Sequence, residues 1–384
     1  MSNTAPNDQF TATVRNLSHK GLGVVNHLDG RIFFVKDGWT GEVGIFEIDS
    51  HATSYDEIAA LKWLERSPER VSVPCPHQGT EIGQCSGCPW MGINYAAQLS
   101  AKEIRVKFLL DKNQIQTGEL RSILGSSKAF GYRNRAQFKT DGQQLGFVSE
   151  GTNVLAPINE CLVLNDRMRG LLNDLKKKLP NAAWKPMGKF PWSYLDVDDH
   201  QSLGEVVPNV RRPFRQGNDE QNEVMKFWIV TSLQAIPKDW PIIEAFCGSG
   251  NFTEALSQAG FEQILAAEVR GSAIQQLKAK NLPGVDILEI DMNEKGVWQQ
   301  LGKRHRNARV LIIDPPREGV EKRVGMFKEL PNLSMILYIS CEPATWSRDV
   351  KDFQLNGWKV AHVTPLDLFP HTPHVELLSL LVRS

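Results

Sequence analysis

From about residue 220 onward, short apolar runs alternate with longer stretches of helical periodicity. The runs are Ile242 to Phe246, Ile264 to Val269, Val285 to Ile290, Val310 to Ile313 and Met335 to Ser340. Strand-helix alternation of this kind predicts a doubly wound parallel sheet, an α/β fold. Two tail strands follow, Lys359 to Thr364 and Val375 to Val382, joined by a loop holding Asp367 and His371. The front of the chain has a different rhythm. Thr11 to Arg15, Gly23 to Asn26, Ile32 to Val35 and Glu42 to Ile48 are short β-like runs broken by glycine, and they suggest a small barrel or a plain hairpin module. Residues 53 to 66 have helical spacing, with apolar positions at Tyr55, Ile58, Ala59, Leu61, Trp63 and Leu64. A long helix with a basic side is expected over Tyr95 to Lys112, a β-rich stretch over 130 to 165, and a basic helix over 166 to 178. There is no repeat and no low-complexity tract.

At 384 residues the chain suits two or three domains. Its 41% hydrophobic and 23% charged content is that of a soluble globular protein. No apolar run approaches the ~18 residues of a membrane span, and Met1 to Gln9 reads as a short disordered lead rather than a signal peptide. A cytoplasmic monomer is expected. Lys+Arg and Asp+Glu both number 44, which argues against a generic polyanion binder. Locally, nine basic residues between Lys102 and Lys139 face only Glu103, Asp111 and Glu119. That surplus suits phosphate contacts or a solvated surface.

Six cysteines without a secretory signal argue against a disulfide scaffold. Cys75, Cys85, Cys88 and Cys161 look like ligands, with a single Cys-x2-Cys pair, a remote fourth cysteine, and prolines after Cys75 and Cys88. An iron–sulfur cluster suits this spacing better than zinc, and unliganded thiols remain a third reading.

Chemistry concentrates in the second half. Phe246-Cys247-Gly248-Ser249-Gly250-Asn251 joins a strand to a helix start. Its glycines let a ligand approach the backbone, and Glu268 ends the next strand, where a ribose diol would lie. Thr253 stands where a dinucleotide fingerprint has its third glycine, so S-adenosylmethionine fits better than a nicotinamide or flavin. Asp314-Pro315-Pro316-Arg317 stiffens the edge of the fourth strand. Cys247 reads as a small buried residue. Cys341 and Glu376 pair a thiol with a carboxylate at strand-to-loop positions. Carbon 5 of uracil is a poor nucleophile. A thiolate added at carbon 6 drives density onto carbon 5, and a base must then remove the carbon-5 proton so that the thiol can leave.

Ser340-Cys341-x-Pro343-Ala344-Thr345, Phe369-Pro370-His371-Thr372-x-His374-Val375-Glu376, Asp314-Pro315-Pro316-Arg317 and the Phe246–Phe252 loop together resemble the RNA uracil-5-methyltransferase family, over nearly the whole chain. The resemblance implies a Rossmann-like class I methyltransferase domain, Cys341 as nucleophile and Glu376 as base. It places Gln216, Phe246, Gly248, Gly250, Asn251, Glu268, Asp291 and Asp314 around the methyl donor. It also implies a 4Fe-4S cluster on Cys75, Cys85, Cys88 and Cys161. The N-terminal runs resemble the TRAM module, an OB-like barrel, with Lys20, Arg31 and Phe34 as candidate RNA contacts, and Tyr132-Arg133-Asn134-Arg135 resembles a family segment of the central domain and is a candidate contact for substrate phosphates. The expected domains are 1–52, the barrel; 53–207, a central α+β iron–sulfur domain; and 208–384, the methyltransferase domain. Glu342 replaces the family's usual asparagine after the cysteine, and its side chain is expected to point away from the thiol. The expected reaction is methylation of a uridine in 23S ribosomal RNA to 5-methyluridine; the transfer RNA T-loop is the alternative. A radical enzyme would need a tight Cys-x3-Cys-x2-Cys run, which is absent, and a non-catalytic RNA-binding protein would not need both Cys341 and Glu376.

Overall fold

Alternate residues of the central strands serve opposite faces of one sheet. Ile243, Ala245, Leu311, Ile313, Ile336 and Tyr338 join a core with the helices Val297–His305 and Pro343–Leu355. Ile242, Ile264, Val310, Ile312, Leu337 and Ile339 join a second core with the helices Asp219–Ser232 and Asn251–Gln258. Both faces are covered, which is why these strands show unbroken apolar runs rather than alternation.

The computed structural model describes residues 8–48, 53–321, 323 and 325–383. They group into two compact units. One comprises the chain up to Ala101, Lys128–Val210 and Pro370–Pro373; the other comprises Lys102–Ser127, Arg211–Phe369 and the chain from His374. The second unit contains an eight-stranded sheet. In spatial order its strands are Val285–Glu289, Ile264–Glu268, Ile242–Ala245, Val310–Ile313, Met335–Ser340, Glu376–Arg383, Trp358–Leu366 and Thr117–Leu120. The first five are parallel, and Glu376–Arg383 is antiparallel to both neighbours. The doubly wound sheet expected from the alternation is therefore present. The edge strand Thr117–Leu120, parallel to Trp358–Leu366, has no apolar pattern to announce it.

In the first unit, Asp8–Thr13, Val43–Ile48 and Ala60–Glu65 form one small sheet, and Asn16–Leu17, Gly23–Asn26, Ile32–Val35 and Glu57–Ile58 form another. Both contribute to a common core that includes Phe10, Val25, Phe33, Val35 and Phe46. Gln9 thus lies in a strand rather than in a disordered lead; Met1–Asn7 of that lead, and the expected domain end at residues 49–52, lie outside the described residues. The helix expected over 53–66 is replaced by strands. Trp63 packs edge-on against Phe46 at 5.8 Å, while Leu61 and Leu64, which a helix would have buried, are 53% and 47% exposed.

Further along this unit, Leu155–Pro157, Leu145–Val148, Arg135–Thr140 and Ser193–Asp198 form a four-stranded antiparallel sheet. It packs on the helix Asp166–Lys177, whose buried Met168, Leu171, Leu172 and Leu175 recur at helical spacing. Asn165 caps that helix by accepting from the Met168 N–H. The helix over Tyr95–Asn113 is present, but Lys102, one of its basic residues, is fully buried and ion-paired with Asp367. Lys102 therefore does not belong to a phosphate-facing surface.

Candidate active site

Five parallel strands end at one edge of the second unit's sheet, and the expected donor and reaction residues follow those ends. Phe246 follows Ile242–Ala245, Glu268 closes Ile264–Glu268, Asp291 lies two residues past Val285–Glu289, Asp314 follows Val310–Ile313, and Cys341 follows Met335–Ser340. The carboxyl edge of such a sheet is where ligands bind in open α/β folds. Glu376 reaches the same edge by a different route. Its strand runs antiparallel to Met335–Ser340 with Ser340 opposite Leu377, so one more step of the register sets Glu376 opposite Cys341. The parallel partner Val310–Ile313, in register with Met335 to Tyr338, delivers Asp314 from the other side.

The electrostatics follow from this crowding. Burial pushes the Cys341 thiol up to about 12, and the negative charges of Glu376 and Asp314 add to the rise, while the exposed Arg317 opposes it. Glu376 is buried and raised to about 8, first by desolvation, then by Asp314, again against Arg317. Asp314 is raised to about 7 by desolvation alone; part of its surface is open, but protein surrounds it densely. Two carboxyls ionising near neutrality beside a thiol are suited to moving protons at physiological pH.

Glu342 has its own partners. As the N-cap of Pro343–Leu355 it accepts from the Ala344 N–H at 3.3 Å, and its charge faces Arg105. The helix it caps also holds the Asp-Pro-Pro-Arg loop. Thr345 Oγ1 donates to the Arg317 carbonyl at 2.8 Å, Arg348 donates to the Glu318 carbonyl at 2.7 Å, and the Val320 N–H donates to Asp349 at 2.7 Å.

The glycine-rich loop is strained where a ligand loop would be. Phe246 has φ +63°, Gly248 +56° and Gly250 +80°. A Cβ on Gly250 would lie 2.3 Å from Leu277 Cδ1, so both conformation and space require glycine. Glu268 ties the loop to the next strand, its carboxylate accepting from the N–H groups of Gly248, Val269 and Arg270, each at 2.9 Å. Asn251 exchanges two amide hydrogen bonds, of 2.9 and 2.7 Å, with Asn222. Gln216 is buried at the start of the same segment, and its neighbour Gly217 lies against the Phe369 ring. Asp291 accepts from the Asn293 N–H within its own turn. Cys247 is buried, with its thiol pushed up by desolvation, as the small-residue reading expects.

The four remaining cysteines belong to the first unit. Among the described residues no three His, Cys, Asp or Glu side chains are gathered as ligands of a single ion. Cys75, Cys85, Cys88 and Cys161 nevertheless line one pocket, walled by Met91, Phe147, Ile158 and Val163. Burial raises Cys85, Cys88 and, to about 11, Cys161.

Residues 193–384 match the tRNA (uracil-5-)-methyltransferase family. An uncharacterised RNA methyltransferase of Nitrosomonas europaea is 41% identical over 374 residues, covering 96% of this chain and 95% of the relative. The chain belongs to the RNA uracil-5-methyltransferase family. A 23S rRNA (uracil(1939)-C(5))-methyltransferase of Haemophilus parainfluenzae is 25% identical across 98% of this chain and 97% of its own length. The tRNA (uracil-54, C5)-methyltransferase of Pyrococcus abyssi, solved with S-adenosyl-L-homocysteine, superimposes with a TM-score of 0.68 at 21% identity, over 97% of this chain and 100% of that one. This RNA uracil-5-methyltransferase therefore shares the fold of that enzyme. No helix among its described residues is long and apolar enough to cross a membrane.

Sequence reasoning named Thr345 only as the end of the Ser340–Thr345 motif and gave no role to Asn222, Arg348 or Asp349. The Arg348-Asp349 pair sits one helical turn beyond Thr345, which is the signal that could have found it.

Proposed function

We propose that the chain methylates carbon 5 of a uridine in 23S ribosomal RNA with S-adenosylmethionine as donor, through a covalent bond between Cys341 and carbon 6. The observation that carries this reading is the antiparallel register that sets Glu376 opposite Cys341, with Asp314 delivered beside both. The bound donor supplies an electrophilic methyl group. Cys341 adds to carbon 6, its proton leaving to one of the neighbouring carboxylates. Electron density moves to carbon 5, which takes the methyl as its bond to the donor's sulfur breaks, leaving S-adenosylhomocysteine. Glu376 then accepts the carbon-5 proton, the carbon–sulfur bond breaks, and 5-methyluridine leaves. Arg317 favours the ionised forms of both Cys341 and Glu376.

Around the donor we assign Gln216, Phe246, Gly248, Gly250, Asn251, Glu268, Asp291 and Asp314. The 23S substrate is favoured because relatives spanning nearly the whole chain, in Haemophilus parainfluenzae and Marinomonas posidonica, carry that name. Residues 208–384, with Thr117–Leu120 at the edge of their sheet, would be the catalytic domain; the OB-like RNA-binding barrel expected over 1–52 would extend through Glu57–Ile58 and Ala60–Glu65, and the rest of 53–207 would be a cluster-bearing domain. The donor set at Cys75, Cys85, Cys88 and Cys161 fits a 4Fe-4S cluster. The four thiols line one pocket, where they could ligate the irons of such a cluster. With all four iron sites ligated, the cluster would supply structural rigidity. Mass spectrometry of RNA from a deletion strain tests the assignment. Loss of 5-methyluridine from 23S RNA, with transfer RNA unchanged, is expected; intact 23S modification would refute it.

A further inference from the structure

One face of the four-stranded sheet in the first unit is covered, and the other carries an aromatic ladder. Phe138, Leu145 and Leu195 enter the core against Asp166–Lys177. The register that pairs Lys139 with Tyr194 on one side and Gly146 on the other turns these three to the opposite face. There the Lys139 ammonium lies 4.4 Å from the Trp192 ring centroid and 5.2 Å from that of Tyr194. Trp192 stacks on Phe190, with centroids 4.9 Å apart and planes 19° apart. The ladder ends in the open, since Phe190 is 52% exposed and Met187, three residues before it, 92%. Lys185 and Lys189 are exposed in the same segment. Asp196, two residues along the strand from Tyr194, is ion-paired with Arg135 at 3.1 Å.

Here the outermost ring is half exposed, Lys139 lies over the inner rings, and Lys185 and Lys189 are exposed in the same stretch of chain, which matches the chemistry of single-stranded RNA. We propose that this face is a stacking platform for the substrate RNA: an unpaired base lies on the open face of Phe190, and Lys185 and Lys189 meet the flanking phosphates. The platform holds RNA without reading its sequence, because every base has a ring face to stack. It rests on the reading that the chain methylates RNA.

The test uses the full-length protein, labelled oligouridylate for binding, and 23S RNA from a deletion strain for methylation. Phe190→Ala should weaken binding about 5- to 100-fold and raise KM while leaving kcat at saturation unchanged, and Phe190→Tyr should restore both. Trp192 emission should be quenched by oligouridylate, with the quench absent in Trp192→Phe. Lys185→Glu with Lys189→Glu should flatten the dependence of log K on log salt by about 0.7 per lost phosphate contact. Wild-type binding and KM in Phe190→Ala, with methylation intact, would overturn the platform alone. Unchanged oligouridylate binding with weakened docking to ribosomal particles would also overturn it, in favour of a protein partner. A wild-type protein that neither binds nor methylates RNA would overturn the reading beneath it.

Discussion

At the residue scale, the account depends on a thiol and two carboxyls that burial makes hold their protons to higher pH than usual. Glu376 titrates near 8, so the fraction able to accept the carbon-5 proton grows as pH rises through that value. Turnover should rise likewise, and Arg317→Met should move that limb to more alkaline pH by removing the charge that favours ionisation. A pH–rate profile unchanged in that variant would contradict the role given to Arg317. Glu376→Gln should lose about 10²- to 10⁴-fold in turnover while accumulating a covalent protein–RNA complex on denaturing gels, because elimination needs the proton removed. The sequence singled out Cys341 and Glu376 as a thiol–carboxylate pair from their distinctive surroundings. The register that sets them opposite one another was not legible, because pairing between strands distant in the chain leaves no local trace. The partners of Glu342 agree with the expectation that its side chain serves something other than the thiol.

At the element scale, the unbroken apolar strands were legible because burial on both faces leaves them no polar positions. The segment over 53–66 misled because Glu, Ala, Leu and Lys favour helix locally, while pairing with Val43–Ile48 and the seat of Trp63 against Phe46 select a strand. Lys102 was equally opaque, its basic neighbourhood concealing a fully buried ion pair. Lys102→Met should therefore destabilise the protein by about 3–5 kcal/mol, and Lys102→Met with Asp367→Leu by much less, since breaking one partner strands a charge. Chemical denaturation measures both; equal losses would refute the pairing argument. Glu244 is buried beneath the glycine-rich loop, accepts from Thr253 Oγ1 at 2.6 Å, and is raised from 4.5 to about 8. A carboxyl raised on folding lends stability that is full below its unfolded pKa and lost as pH climbs through its folded value. Glu244→Gln should escape that loss, so its melting temperature should gain on wild type between about pH 5 and about pH 8. A constant difference across that range would argue against a buried, neutral Glu244.

At the scale of the whole molecule, the four upstream cysteines show how far spacing reaches. The sequence marks all four as ligand candidates, and the fold of the first unit brings the remote Cys161 to the same pocket as the Cys85–Cys88 pair. Protein purified without oxygen should carry about four irons per chain with broad visible absorption, and Cys161→Ser should lose both; colourless, zinc-loaded protein would refute the cluster. The central claim, a covalent bond from Cys341 to a ribosomal uridine, has a more direct test. With 5-fluorouridine in place of uridine in 23S RNA, carbon 5 carries fluorine, Glu376 has no proton to remove, and the adduct should persist. Peptide mass spectrometry of that complex should place a methylated fluorouridine on Cys341. Methylation of ordinary 23S RNA without any such adduct, or an adduct on another residue, would contradict the account.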